Sequence, residues 1–105
     1  MSVKQNLRAA KQLIIDKGWA QGVYQNEEGC FCMVGAVRVA MGITAYDAQE
    51  GPMEPPEIRA IVRGLRGMGK PIDWSGDIID WNDAPGRTER EVLELFDEAI
   101  RIADE

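Results

Sequence analysis

The sequence predicts an α+β fold, mainly α, with four to five helices packed around one two-stranded β-hairpin. Three observations predict it. Apolar residues recur at helical spacing over residues 2–17, 56–68 and 88–103. Between Trp19 and Met33 the period changes, and two short runs flank a polar turn ending in glycine. Capping residues, prolines and glycines stand where one pattern gives way to the next.

In the first helix, over residues 2–17, Val3, Leu7, Ala10 and Ile14 form the apolar stripe and Leu13 widens it. Ser2 is the N-cap and Gly18 the stop. Lys4, Arg8 and Lys11 line another face, so they are expected outside while Val3, Leu7 and Ile14 are buried. The hairpin follows, its strands at residues 20–25 and 30–33, joined by Asn26-Glu27-Glu28-Gly29. From Val34 to Met41 the pattern is helical again and apolar nearly all round, which places this helix at the centre of the core. Gly35, Ala36 and Ala40 allow another element to approach it closely, and Gly42 ends it.

Thr44-Ala45-Tyr46-Asp47 fits a capping box and a short helical turn. A proline-containing loop over residues 49–56 leads to a helix over 56–68, bracketed by its first proline and by Gly69. Ile58, Ile61, Val62, Leu65 and Met68 form its apolar side, and Arg59, Arg63 and Arg66 form a basic stripe. Gly64 and Gly67 weaken it. Residues 70–87 are irregular apart from a short helix, Gly76 to Trp81, capped by Ser75. Thr88-Glu89-Arg90-Glu91 is a second capping box, opening a helix whose buried stripe is Val92, Leu95, Phe96, Ala99, Ile100 and Ala103. The 105 residues suit a single domain, 1–105, with no internal repeat.

Composition narrows the function. Apolar residues make up 45% and charged residues 29%, an ordinary globular balance. The longest apolar stretch, Cys30 to Ile43, is too short to span a bilayer and is interrupted by Arg38. The first residues lack the apolar core of a signal peptide, which points to the cytoplasm. There, Cys30 and Cys32 are expected to be reduced thiols. The net charge is −6, and residues 71–105 hold 11 carboxylates against 3 arginines. Phosphate backbones repel such a surface, so nucleic-acid binding is disfavoured. The Arg59, Arg63, Arg66 and Lys70 stripe would be its only route, and it reads first as a solvated face or one paired with Glu91, Glu94 and Glu98.

The sequence contains no histidine, which removes histidine-based nucleophilic catalysis and histidine metal sites. Cys32 stands near a helix N-terminus, where the dipole lowers a thiol pKa. It has no base beyond a carboxylate, so a packed structural thiol is the competing and favoured reading. For zinc, Cys30 and Cys32 lack two further soft or imidazole ligands, short of carboxylates or a second copy. Asp73, Asp77, Asp80 and Asp83 do not match a calcium-loop spacing. No metal or cofactor is expected. Trp19, Trp74 and Trp81 read as core lids, with a groove lined by Trp74 and Trp81 as the functional alternative.

The most distinctive segment is Trp81-Asn82-Asp83-Ala84-Pro85-Gly86-Arg87-Thr88, a helix exit, a Pro-Gly turn and a capped helix start. Taken with Gly18-Trp19-x-Gln21-Gly22, Cys32-x-x-Gly35-Ala36 and the following Glu91-Val92-Leu93, it resembles a family of short bacterial and phage proteins catalogued only as a domain of unknown function. The resemblance runs from about Leu7 to Ala103. It departs at Ala20, where many members carry cysteine, which argues against an obligatory thiol there. The resemblance implies a prokaryotic or phage cytosolic protein and no activity.

The three motifs are expected to meet in space, bringing Trp19, Gln21, Cys32, Trp81, Asn82 and Asp83 together as a polar core network or a ligand site. With no convincing catalytic set, the leading expectation is a non-enzymatic interaction protein. It would bind a host protein through an acidic surface that includes Glu91, Glu94 and Glu98. The alternative is a small-molecule binder or weak hydrolase centred on Gln21, Asn82 and Asp83. No membrane partner is expected, and a homodimer is compatible with the sequence.

Overall fold

The computed structural model describes residues 2–42, 55–69 and 75–103. Among these the architecture is all-α, five helices with no β-strand. The helical turn predicted at 44–47, most of the 49–56 loop, Lys70, Asp73 and Trp74 lie outside the described residues. No helix among the described residues is long and apolar enough to cross a membrane.

Helix α1, Val3–Lys17, starts at a full capping box: Ser2 accepts from the Gln5 amide, and the Gln5 side chain accepts from Ser2 N. It buries Leu7, Ala10 and Ile14, with Val3 half-buried. Of its basic face only Arg8 is exposed. Lys4 and Lys11 are half-buried, and Lys11 Nζ lies 2.6 Å from Asp97 Oδ1 on the adjacent α5. Packing of α1 beside α5 thus draws in a lysine expected in solvent.

Helix α2, Met33–Ala40, is fully buried over Met33–Val37 and half-buried beyond, so only its first half occupies the centre of the core. Helix α3, Pro56–Gly67, opens with proline at N1 and packs along α5. A Cβ at Gly64 would lie 3.1 Å from Leu95 Cδ1, so the glycine that weakens α3 locally also lets α5 pack closely. Arg59, Arg63 and Arg66 are exposed. Helix α4, Ser75–Asp83, is longer than predicted at both ends. Helix α5, Glu89–Ile102, carries the predicted Thr88–Glu91 capping box and buries Val92, Leu95, Phe96 and Ala99, while Ile100 is half-buried at the core's edge. The core joins α1 through α5 in one cluster of apolar side chains.

The predicted hairpin is absent. Residues 18–32 make an irregular loop with two isolated bridges, both to Phe31: Trp19 in parallel and Gln25 in antiparallel sense. Phe31 N donates to Gly18 O and Phe31 O accepts from Ala20 N, both at 2.9 Å. On its other side, Asn26 N donates to Cys30 O and Cys32 N to Tyr24 O. A ladder cannot extend from there, because residues 20–22 turn away and bond to the end of α4. Asn26 closes the tip by accepting the Glu28 and Cys30 amides on its Oδ1. Polar turn residues between short apolar runs therefore mark a chain reversal here, without strand pairing.

Candidate functional site

The last turn of α4 meets the 18–32 loop and the first turn of α2. Asn82, 1% exposed, is the centre of that junction. Its Oδ1 accepts from Trp19 Nε1 at 2.9 Å and from Met33 N at 3.2 Å. Its Nδ2 donates to Ala20 O at 3.1 Å and Asp83 Oδ1 at 2.9 Å. The four bonds use the amide's full capacity. Met33 N is the first amide of α2, one of the donors a helix start leaves unpaired. Asn82 therefore caps α2 from another helix, while Cys32 Sγ caps it locally by accepting from Gly35 N at 3.3 Å.

The support is reciprocal. Gln21 Nε2 donates to Asn82 O, in the last turn of α4, and to Ala84 O just beyond it, which also accepts from Arg87 N. Asp83 Oδ1 accepts from Gly22 N at 3.0 Å, where glycine holds a φ of 81°. Asp83 Oδ2 has no hydrogen-bond partner among the described residues, and it is not buried.

Trp81 takes a separate place. The Arg87 guanidinium lies 3.9 Å from its ring centroid, and Arg87 Nε donates to Trp81 O at 2.9 Å. Arg87 continues to Glu91 Oε2 at 3.1 Å, which ties the Pro-Gly turn to the start of α5. The structure thus brings Trp19, Gln21, Cys32, Asn82 and Asp83 into one assembly and turns Trp81 toward Arg87. Sequence reasoning missed the backbone members, Ala20 O, Gly22 N and Met33 N, for which residue identity gives no signal. It also missed the Arg87 stack, for which an arginine six positions after a tryptophan across a Pro-Gly turn was the available hint.

Beside this junction opens a cleft of about 320 Å³, lined by Gly22, Val23, Tyr24, Cys32, Ile79 and Asp83. Tyr24 has its ring beneath the Arg38 guanidinium, 4.6 Å from the centroid. Cys30 and Cys32 are both free thiols. Burial pushes the Cys32 thiol up, and this outweighs the lowering by the Gly35 and Val34 amides at the α2 N-terminus. At neutral pH Cys32 is accordingly a protonated, packed side chain. Alkylation of the folded protein is expected to label Cys30 first, with Cys32 following only as the protein unfolds. Peptide mapping after timed iodoacetamide treatment checks this; native-state labelling of Cys32 at the rate of a free thiol would contradict it.

The glutamates proposed for a partner are each engaged close by in sequence. Glu91 closes the Thr88 box and meets Arg87, Glu94 lies 3.8 Å from Arg90, and Glu98 pairs with Arg101. The backbone amide of Thr88 holds the Glu91 carboxyl below its ordinary range, and the Arg101 guanidinium does so for Glu98. Among the described residues no group of three or more acidic or cysteine side chains is placed to hold a metal ion.

No curated protein and no solved structure matches the chain. A family model does match, over residues 1–102, nearly the whole chain and all the motifs that meet at the Asn82 junction. The chain belongs to that family, described as a family of unknown function (DUF6197).

Proposed function

We propose that this is a small non-enzymatic interaction protein of bacterial or phage origin, acting in the cytoplasm. It binds a basic surface of a host protein through an acidic surface that includes Glu91, Glu94 and Glu98. The observation that carries the reading is charge placement: residues 75–103 hold eight carboxylates against three arginines. Asp80, Glu89, Glu94 and Asp97 are all exposed. The intrahelical pairs do not close this surface. Exposed ion pairs are screened by solvent and contribute little, so a partner's lysines and arginines replace them at little cost. What supports a binding rather than a catalytic role is that the Asn82 amide at the centre of the assembly spends its full hydrogen-bonding capacity within the protein and the buried thiol is not activated.

Affinity capture from host lysate at low salt, followed by binding measurements on the captured protein, tests the reading. Association is expected to slow as salt rises to physiological strength. Glu94→Lys with Glu98→Lys is expected to weaken binding by about tenfold or more. Glu91 is left intact in that variant because its reversal would also break the α5 capping box. A partner whose affinity ignores both salt and the charge reversal contradicts the acidic-surface reading.

A further inference from the structure

We infer that the cleft beside the Asn82 junction is a binding site for a primary ammonium carried on a short apolar body. The cleft sits at the small end of ligand-pocket sizes, at about 320 Å³. Its walls divide by chemistry. Val23, Tyr24, Ile79 and the thiol of Cys32 are apolar or weakly polar, and Asp83 is the one carboxylate among the described residues that line it. A Cβ built on Gly22 meets nothing within 4 Å, so that wall is left open.

Asp83 is set up to receive a cation. Its Oδ1 is fixed by Gly22 N and Asn82 Nδ2, which locks the carboxylate plane, while Oδ2 is without a protein partner among the described residues and is not buried. Of the arginines nearby, Arg87 is committed to Trp81 and Glu91, and Arg38 lies over the outer wall of the cleft on the Tyr24 ring, 4.6 Å from its centroid. An ammonium at Oδ2 makes a charge-assisted hydrogen bond with a preorganised acceptor, and its hydrocarbon part lies against Val23, Tyr24 and Ile79. The inference does not depend on the acidic-side reading, because Glu94 and Glu98 take no part in the cleft.

The test is a nuclear magnetic resonance titration of the full chain with three isosteres: isoamylammonium, isoamyl alcohol and isovalerate. Isoamylammonium is expected to give saturable shifts at the amides of Gly22, Val23, Tyr24 and Ile79, with the alcohol and the carboxylate each binding about tenfold more weakly or worse. Asp83→Asn keeps an oxygen for Gly22 N and removes the charge, and it should lose about the same factor. Val23→Trp, at an exposed position, fills the cleft with Asp83 intact and should abolish the shifts. Equal binding of ammonium and alcohol would make the cleft a plain apolar pocket and overturn the inference. Tighter binding of isovalerate, undiminished binding by a folded Asp83→Asn variant, or no saturable shift for any probe would overturn it equally.

Discussion

Asn82→Ala is expected to destabilise the protein by about 3 kcal/mol or more, a large share of the roughly 5–15 kcal/mol that holds a domain of this size folded. The substitution orphans a tryptophan N–H, a helix-start amide and a backbone carbonyl at once. Each buried orphan costs about 1–3 kcal/mol, and the sum is reduced where water reaches Trp19. Urea unfolding should show a lower midpoint with an unchanged slope, and the melting temperature should fall on the order of 15 °C. Asp83→Ala is expected to cost less, about 1–2 kcal/mol, because the Gly22 amide it releases is exposed and returns to water and only one buried donor, Asn82 Nδ2, loses its acceptor. The neighbouring residues thus differ in role: Asn82 holds the fold together, and Asp83 is only half engaged in doing so. Equal losses at the two positions would contradict that division.

The second large effect is expected at Gly35. An added Cβ would lie 2.2 Å from Tyr24 O and 2.9 Å from Tyr24 C. These are backbone atoms, so no rotamer change relieves the contact. The start of α2 would have to move off the loop, straining the Cys32 N bond to Tyr24 O at 3.1 Å. Gly35→Ala should therefore cost about 3 kcal/mol, at the upper end of overpacking penalties. Gly67→Ala is the control of opposite sign. Its Cβ meets nothing within 4 Å and its φ is not positive, so it should stabilise α3 by about 0.5–1 kcal/mol. Loss of stability in both variants would show that helix propensity, not the Tyr24 contact, was misjudged.

These contrasts follow what was legible in the sequence. The first helix, the 56–67 helix and the last helix were readable because caps and apolar periodicity are local properties, encoded within a few residues by Ser2, Pro56 and the Thr88–Glu91 box. The hairpin was misread for the complementary reason. Alternation around Asn26–Gly29 announces a reversal, but whether the arms pair depends on what else their backbone can bond. Here Trp19, Gln21 and Gly22 bond to groups 61 to 63 positions away, at Asn82 and Asp83. No local pattern carries such information.

The candidate site was legible in membership and not in geometry. Trp19, Gln21, Asn82 and Asp83, which stand in separated motifs, are linked by hydrogen bonds around Asn82, and Cys32 adjoins the Met33 amide that Asn82 accepts. Backbone groups supply half of the bonds to the Asn82 side chain, and they have no signature in residue type. Trp81 followed its own neighbour, Arg87, because a guanidinium over an indole competes well once the Pro-Gly turn brings them together. The Cys32 environment was also ambiguous from sequence: a helix N-terminus lowers a thiol pKa and burial raises it, and only the packed structure shows burial prevailing.

The central claim is that Asn82 stitches α4 to the loop and to α2. A double-mutant cycle between Trp19→Phe and Asn82→Ala, read by urea unfolding, tests it most directly. The pair shares a 2.9 Å hydrogen bond between groups 63 positions apart in sequence. A coupling free energy of about 1 kcal/mol or more is predicted, since removing either partner already removes the shared bond. Strictly additive losses, with a coupling near zero, would contradict the account.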